Sequence, residues 1–225
     1  NGTTWTASEA YAVTKAWTFA SGDGAKKVYV KFQDKAGKWS AVTSASVTLD
    51  TVKPTGSINI NAGAAYSASQ NVTLNLSGSD SHSGISTMSF STNGTTWTAA
   101  ENYAVSKTFA LPTGDGAKTV FVKYYDKAGN VSVVYSKSIV LDTVKPTGSI
   151  NINSGAAYTA SRTVSLNLSG TDVTSGISTM SFSTNGTTWT AAEKYAVSRT
   201  FTLPTGDGTK TIYVKFFDRA GNVSS

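Results

Sequence analysis

The string Asn-Gly-Thr-Thr-Trp-Thr-Ala begins at Asn1, Asn93 and Asn185, and Gly-Asp-Gly recurs at Gly22, Gly114 and Gly206. Asp-Thr-Val-Lys-Pro-Thr-Gly-Ser starts at Asp50 and again at Asp142, so every motif returns after 92 residues. Aligning 50–133 with 142–225 leaves 66 of 84 positions identical, and most of the 18 changes are conservative, such as Val120/Ile212 and Lys107/Arg199. A fixed period of this kind means that one folding unit is copied, and whatever the unit is must be stable in a row. Two periods of 92 leave 41 residues over, so the 225 residues hold two nearly full copies and about half of another.

Pro54 and Pro146 mark the boundaries, because proline withdraws a ladder donor and biases the residue before it toward extended backbone. Junctions just before Asp50 and Asp142 give three expected domains. Residues 1–49 are the C-terminal half of a module, 50–141 a complete module, and 142–225 a module without its last strand. The expectation is a window within a longer array. The opening Asn1-Gly2-Thr3-Thr4-Trp5 has neither the charged nor the apolar region of a targeting segment.

Within the complete copy the apolar period is two. Ile58 and Ile60 mark a first strand; Val72, Leu74 and Leu76 alternate with Thr73, Asn75 and Ser77 in a second; Met88 and Phe90 mark a third. Asn93-Gly94 predicts a tight hairpin with positive φ, returning through Thr95–Thr98 with Trp97. Phe109 and Leu111 mark a fifth strand ended by Pro112, Val120, Val122 and Tyr124 a sixth, and Ile139 and Leu141 a seventh. Seven short strands with turn signals between them and no helical period predict an all-β fold of tandem seven-stranded immunoglobulin-like β-sandwich modules. With no Cys in the chain, apolar packing alone must hold the two sheets together.

The absence of Cys also excludes cysteine nucleophiles and Cys-based zinc sites. No apolar run reaches the roughly 18 residues of a membrane-spanning helix, so no membrane insertion is expected within this segment. The net charge is +6, but apart from the pair Lys26-Lys27 the Lys residues stand singly along strand-like segments and form no basic run, so no nucleic-acid partner is expected. Catalysis has little to draw on: the single His, His82, is matched by Thr174 in the next copy, and Glu occurs once per copy, at Glu9, Glu101 and Glu193, without a partner carboxylate at glycosidase spacing. No catalytic residue and no enzyme is expected.

The Asp-Thr-x-x-Pro-Thr boundary, Asn93-Gly94-Thr95-Thr96-Trp97, Gly114-Asp115-Gly116-x-Lys118 and the Asp126-x-Ala128-Gly129-Asn130 turn after Val120 make the whole chain resemble a known class of repeat. It is similar to the immunoglobulin-like or fibronectin-III-like repeats of large bacterial cell-surface and secreted proteins. Two departures stand out: Lys53 and Lys145 occupy a position where such repeats often carry a second proline, and Gly37-Lys38-Trp39 replaces Gly129-Asn130-Val131 in the first copy. The resemblance implies an extracellular or cell-surface location and roles such as stalk, adhesin shaft, filament or surface-layer component, or spacer beside an extracellular enzyme. Fold alone does not choose among them.

Sandwich topology brings the start of the module, the loop after the second strand and the loop before the last strand to one end. That gathers Asp50, Asp80 and Asp126 at one junction and Asp142, Asp172 and Asp218 at the next, facing Asp23 and Asp115 from the preceding Gly-Asp-Gly turns. Calcium takes such oxygen clusters, and the resemblance implies calcium at linkers in some repeats of this type. The plainer reading keeps these carboxylates as turn residues, solvated or paired with Lys. Trp97 and Tyr103, with Trp5, Tyr11, Trp189 and Tyr195, are candidates for a glycan-stacking face or for packing over the sandwich. Phe121 and Tyr125, opposite Val120 and Val122, are a candidate assembly or cell-surface contact.

The sequence therefore predicts a structural, non-catalytic extracellular repeat array. Its expected partners are further copies of the same module in a longer chain, together with self-assembly or cell-surface glycans. The alternatives are an adhesin or carbohydrate-binding region, and the accessory spacer of an extracellular hydrolase. No cofactor is expected beyond calcium at the junctions.

Overall fold

The computed structural model describes residues 2–225; Asn1, where the first expected domain begins, lies outside them. The described residues form sixteen strands and no α-helix. Strands β1 (Gly24–Val30) and β2 (Thr43–Leu49) pair antiparallel as a two-stranded sheet. Next come β3 (Thr55–Ile60), β4 (Tyr66–Ser67), β5 (Asn71–Ser79), β6 (Ile85–Ser91), β7 (Glu101–Asn102), β8 (Ser106–Ala110), β9 (Gly116–Asp126) and β10 (Tyr135–Leu141). The last copy supplies β11 (Thr147–Ile152), β12 (Thr163–Thr171), β13 (Ile177–Ser183), β14 (Glu193–Lys194), β15 (Ser198–Thr202) and β16 (Tyr213–Asp218).

In the middle copy one sheet has the order β3-β5-β8 and the other β4-β10-β9-β6-β7. Only β4 and β10 run parallel; the remaining pairs are antiparallel. Strict alternation builds the core: along β5, Val72, Leu74 and Leu76 are buried while Thr73 and Asn75 are exposed, and Leu76 and Leu74 stand opposite Ile58 and Ile60. Met88, Phe90, Leu111, Val120, Val122, Tyr124, Ile139 and Leu141 fill the space between the sheets. A half-buried strand presents one face every second residue, so this pattern fixes both register and layer order. The molecule is an all-β sandwich, and the last copy repeats it with β11-β12-β15 and β14-β13-β16 around Leu166, Met180, Phe182 and Phe216.

Three local features depart from the sequence reading. The return from the Asn93-Gly94 turn is not a strand: Thr95–Thr98 is irregular, tied back to β6 where Thr98 N donates to the Phe90 carbonyl at 2.8 Å and Phe90 N donates to Thr98 Oγ1 at 3.0 Å, and β6 finds its neighbour in β7 instead. Of the turn pair only Gly94 has positive φ; Asn93 uses its side-chain oxygen to accept the N–H groups of Thr95 and Thr96. The chain also crosses between sheets through Asn61, Ala62 and Gly63, three successive left-handed residues, which sets the two-residue β4 against β10. Thr73 N donates to Asn61 Oδ1 and Ala62 N to Asn75 Oδ1, so β5 holds the strained turn in place. By this count the middle copy has eight strands rather than seven.

In residues 2–49 strands form only over β1 and β2. Val30, Phe32 and Val47 are 38%, 48% and 52% exposed, whereas their counterparts 92 residues on, Val122, Tyr124 and Ile139, are buried.

Candidate functional site

Aspartates converge where one copy meets the next. At the first junction Asp50 follows β2, Asp80 follows β5 and Asp126 ends β9, so three strand ends deliver three carboxylates to one place. A ligand oxygen from each lies within 4.8 Å of the other two, and Asp142, Asp172 and Asp218 repeat the arrangement at the second junction. Asp50, Asp126, Asp142 and Asp218 are buried. Ion pairs among the described residues link Glu9 to Lys15, Glu101 to Lys107 and Glu193 to Arg199, so none neutralises these aspartates.

Backbone N–H groups do part of that work. Asp80 Oδ1 accepts from His82, Ser83 and Gly84 at 3.1, 2.9 and 2.8 Å. The Gly84 N–H holds the Asp80 carboxyl below its usual value; burial pushes the other way, and the N–H groups of His82 and Ser83 and the nearby imidazole reinforce the lowering. Asp80 Oδ2 is buried and has no hydrogen-bond partner among the described residues. Asp126 takes Asn130 N on Oδ1 and Asn130 Nδ2 on Oδ2, each at 2.8 Å. Asp50 spans the junction: Oδ1 accepts Val52 N at 3.1 Å, Oδ2 accepts Ser83 N at 3.0 Å, and its carbonyl accepts Asn130 Nδ2 at 3.0 Å.

The Gly-Asp-Gly aspartates take a different place from the trios. Asp23 Oδ1 accepts the N–H and hydroxyl of Thr51 at 3.1 and 3.0 Å, and Asp115 does the same for Thr143, so each turn grips the linker that follows it. Asp23 also approaches Asp50 and His82, whereas Asp115 joins no group of three among the described residues. Calcium–oxygen distances of about 2.3–2.6 Å put ligand oxygens on one ion up to about 5 Å apart, so the spacing of each Asp trio fits a calcium ion.

The aromatic candidates separate into two settings. Tyr103 packs against the core, edge-on to Tyr124 with ring centroids 6.0 Å apart, and its hydroxyl accepts Gly78 N at 2.9 Å. Trp97, Phe121 and Tyr125 lie half-buried on the outer face of the five-stranded sheet. There Lys123 Nζ sits 4.3 Å from the Trp97 ring centroid and 5.7 Å from that of Tyr125. Lys215 covers Trp189 in the same way, and Lys31 lies over both Trp5 and Trp39.

Sequence reasoning passed over Asn130 and Lys123. The signal for Asn130 was its fixed place four residues after Asp126, repeated by Asn222 after Asp218. Lys123 stands between Val122 and Tyr124 in a strand, and period two puts it on the same face as Phe121 and Tyr125.

Residues 54–143 match the family model of a bacterial Ig-like domain. The residues from Asp142 onward repeat the sequence of most of the matched span. Fibronectin(III)-like modules of Clostridium thermocellum CbhA superpose with a TM-score of 0.49 at 15% identity, covering 75% of this chain and 89% of theirs. A structure concerning host cell surface retention of a 1.5-MDa bacterial ice-binding adhesin gives a TM-score of 0.35 at 18% identity, covering 90% of this chain and 72% of that one. No curated protein matches the chain. No helix among the described residues is long and apolar enough to cross a membrane.

Proposed function

We propose that the chain is a non-catalytic spacer of an extracellular or surface-attached protein, in which Ig-like modules are set in line to give length. The observation that supports this is the duplication of the junction itself. Asp23 with Thr51, Asp50 with Ser83 and Asn130 with the Asp50 carbonyl return, 92 residues on, as Asp115 with Thr143, Asp142 with Ser175 and Asn222 with the Asp142 carbonyl. A junction repeated bond for bond gives each module the same relation to the next, which is what a spacer of defined length needs. Strands of this size make each module about 25–35 Å long. Small-angle scattering on chains of two, three and four copies tests it: the maximum dimension should grow by that increment per copy, and a compact particle would overturn the reading.

The second reading concerns a cation. Three carboxylates within reach of one another, with the buried Asp80 Oδ2 left without a donor, favour calcium at each junction. Asp50, Asp80 and Asp126 would hold one ion and Asp142, Asp172 and Asp218 another, fixing the strand ends and cancelling their mutual repulsion. Calcium titration should raise the melting temperature of the chain, and Asp80→Asn with Asp172→Asn should remove the rise; an unchanged wild-type melting temperature would exclude calcium and leave the spacer reading intact.

A further inference from the structure

The two junctions share their carboxylates, but only the first has an imidazole. Asp23 from the turn before β1, Asp50 from the linker and His82 from the loop between β5 and β6 each offer a ligand atom, all within 4.8 Å of one another. The corresponding residues at the second junction are Asp115, Asp142 and Thr174, where a hydroxyl replaces the ring. Only Asp50 belongs also to the all-oxygen trio.

The donor set decides which ions fit. Calcium is bound through oxygen, whereas zinc and its first-row neighbours combine imidazole nitrogen with carboxylate oxygen. His82 is exposed and can be reached from solvent. Its Nδ1 lies 2.9 Å from Ser81 Oγ, an outer contact that orients the ring, and its other ring nitrogen has no hydrogen-bond partner among the described residues. Asp23 directs Oδ1 to Thr51 and has no donor on Oδ2 among those residues. No Lys or Arg forms an ion pair with Asp23 or Asp50, so two neighbouring carboxylates stand ready for a divalent charge.

We propose that Asp23, Asp50 and His82 form a transition-metal site for zinc at the first junction alone, linking the turn before β1, the linker and the following module, with water completing the coordination. Tetrahedral zinc, with bonds of about 2.0–2.2 Å, needs its ligand atoms about 3.3 Å apart, so the three ligand atoms, which lie within 4.8 Å of one another, would draw together around the ion.

The variant His82→Thr installs the residue that the second copy already carries at Thr174, on an exposed loop, so it preserves the fold. The experiment is calorimetric titration of metal-free chain with zinc chloride, paralleled by the visible absorption of added cobalt(II). The wild type should show a zinc-binding step that H82T weakens by more than about tenfold, since even outer-shell changes cost that much, and the cobalt bands of a nitrogen-containing site should fade with it. Zinc binding unchanged in H82T, or no zinc binding by the wild type, would overturn the proposal.

Discussion

The side-chain amide of Asn130 donates to Asp126 Oδ2 at 2.8 Å and to the main-chain oxygen of Asp50 at 3.0 Å, joining positions 80 residues apart. One amide thereby closes the turn after β9 and fastens it to the linker that starts the module. Asn222 makes the same two contacts with Asp218 and Asp142.

Asn130→Ala should therefore destabilise the middle module by about 2 kcal/mol, because it removes a bond to a charged acceptor and strips the Asp50 carbonyl of its donor. Asn130→Lys, which copies Lys38 of the first repeat, keeps the backbone donor to the turn aspartate, as Lys38 N does for Asp34 at 2.8 Å, but loses the tie to the linker. Urea unfolding of the two variants is the check, with a lowered midpoint expected in both.

How much of this was legible in the sequence differs by layer. Val72, Leu74 and Leu76 against Thr73 and Asn75 state the pairing face of β5 outright, because burial on one side leaves a period-two record. The convergence of Asp50, Asp80 and Asp126 follows from topology, since strand ends on one rim of a sandwich are neighbours whatever their separation along the chain. The crossover at Asn61-Ala62 left no such record: an alanine at φ 55° goes against its own preference and is held by Asn75 from another strand. The contacts of Asn130, His82 and Lys123 depend on side-chain geometry across loops and neighbouring strands, which periodicity does not encode.

Gly56 shows how closely the two sheets approach. A Cβ there would lie 2.4 Å from the Tyr124 ring and 2.5 Å from the Ser77 carbonyl, and one on Gly148 would meet Phe216 and Ser169 in the same way. Since backbone blocks one side and a buried ring the other, Gly56→Ala should cost about 3 kcal/mol or more. Gly94→Ala meets only the Phe121 ring at 3.6 Å and bears a positive-φ penalty of about 1–2 kcal/mol. Thermal melts should rank G56A well below G94A; equal melting temperatures would contradict the packing described.

Glu101 and Lys107 pair at 2.7 Å, joining β7 of one sheet to β8 of the other, and Glu193 with Arg199 repeats the contact. Both side chains of the first pair are about a third exposed, 38% for Glu101 and 31% for Lys107, so solvent screens the attraction. A double-mutant cycle with Glu101→Gln and Lys107→Met should give a coupling below about 1 kcal/mol that shrinks as salt is added. The once-per-copy glutamate is then a clasp between sheets, and a coupling of several kcal/mol would show that the pair is more shielded than its exposure indicates.

Tyr124 gives the middle module a sensitivity to alkali that the last copy lacks. Its ring is fully buried, its hydroxyl donates to the Ser57 carbonyl at 2.7 Å, and its counterpart is Phe216. Burial, with Tyr103 and Tyr135 beside it, raises the phenol well above its usual 10.0. The folded state then holds the proton more tightly than the unfolded chain, so the stabilisation is complete below the unfolded value and is lost as pH rises from there toward the folded one. Tyr124→Phe should cost about 1 kcal/mol near neutral pH, the worth of one hydrogen bond, and remove that part of the alkaline loss. Denaturant midpoints at about pH 8 and about pH 11, bracketing an ordinary tyrosine, should fall further in the wild type than in Y124F; parallel falls would assign the alkaline loss to other tyrosines.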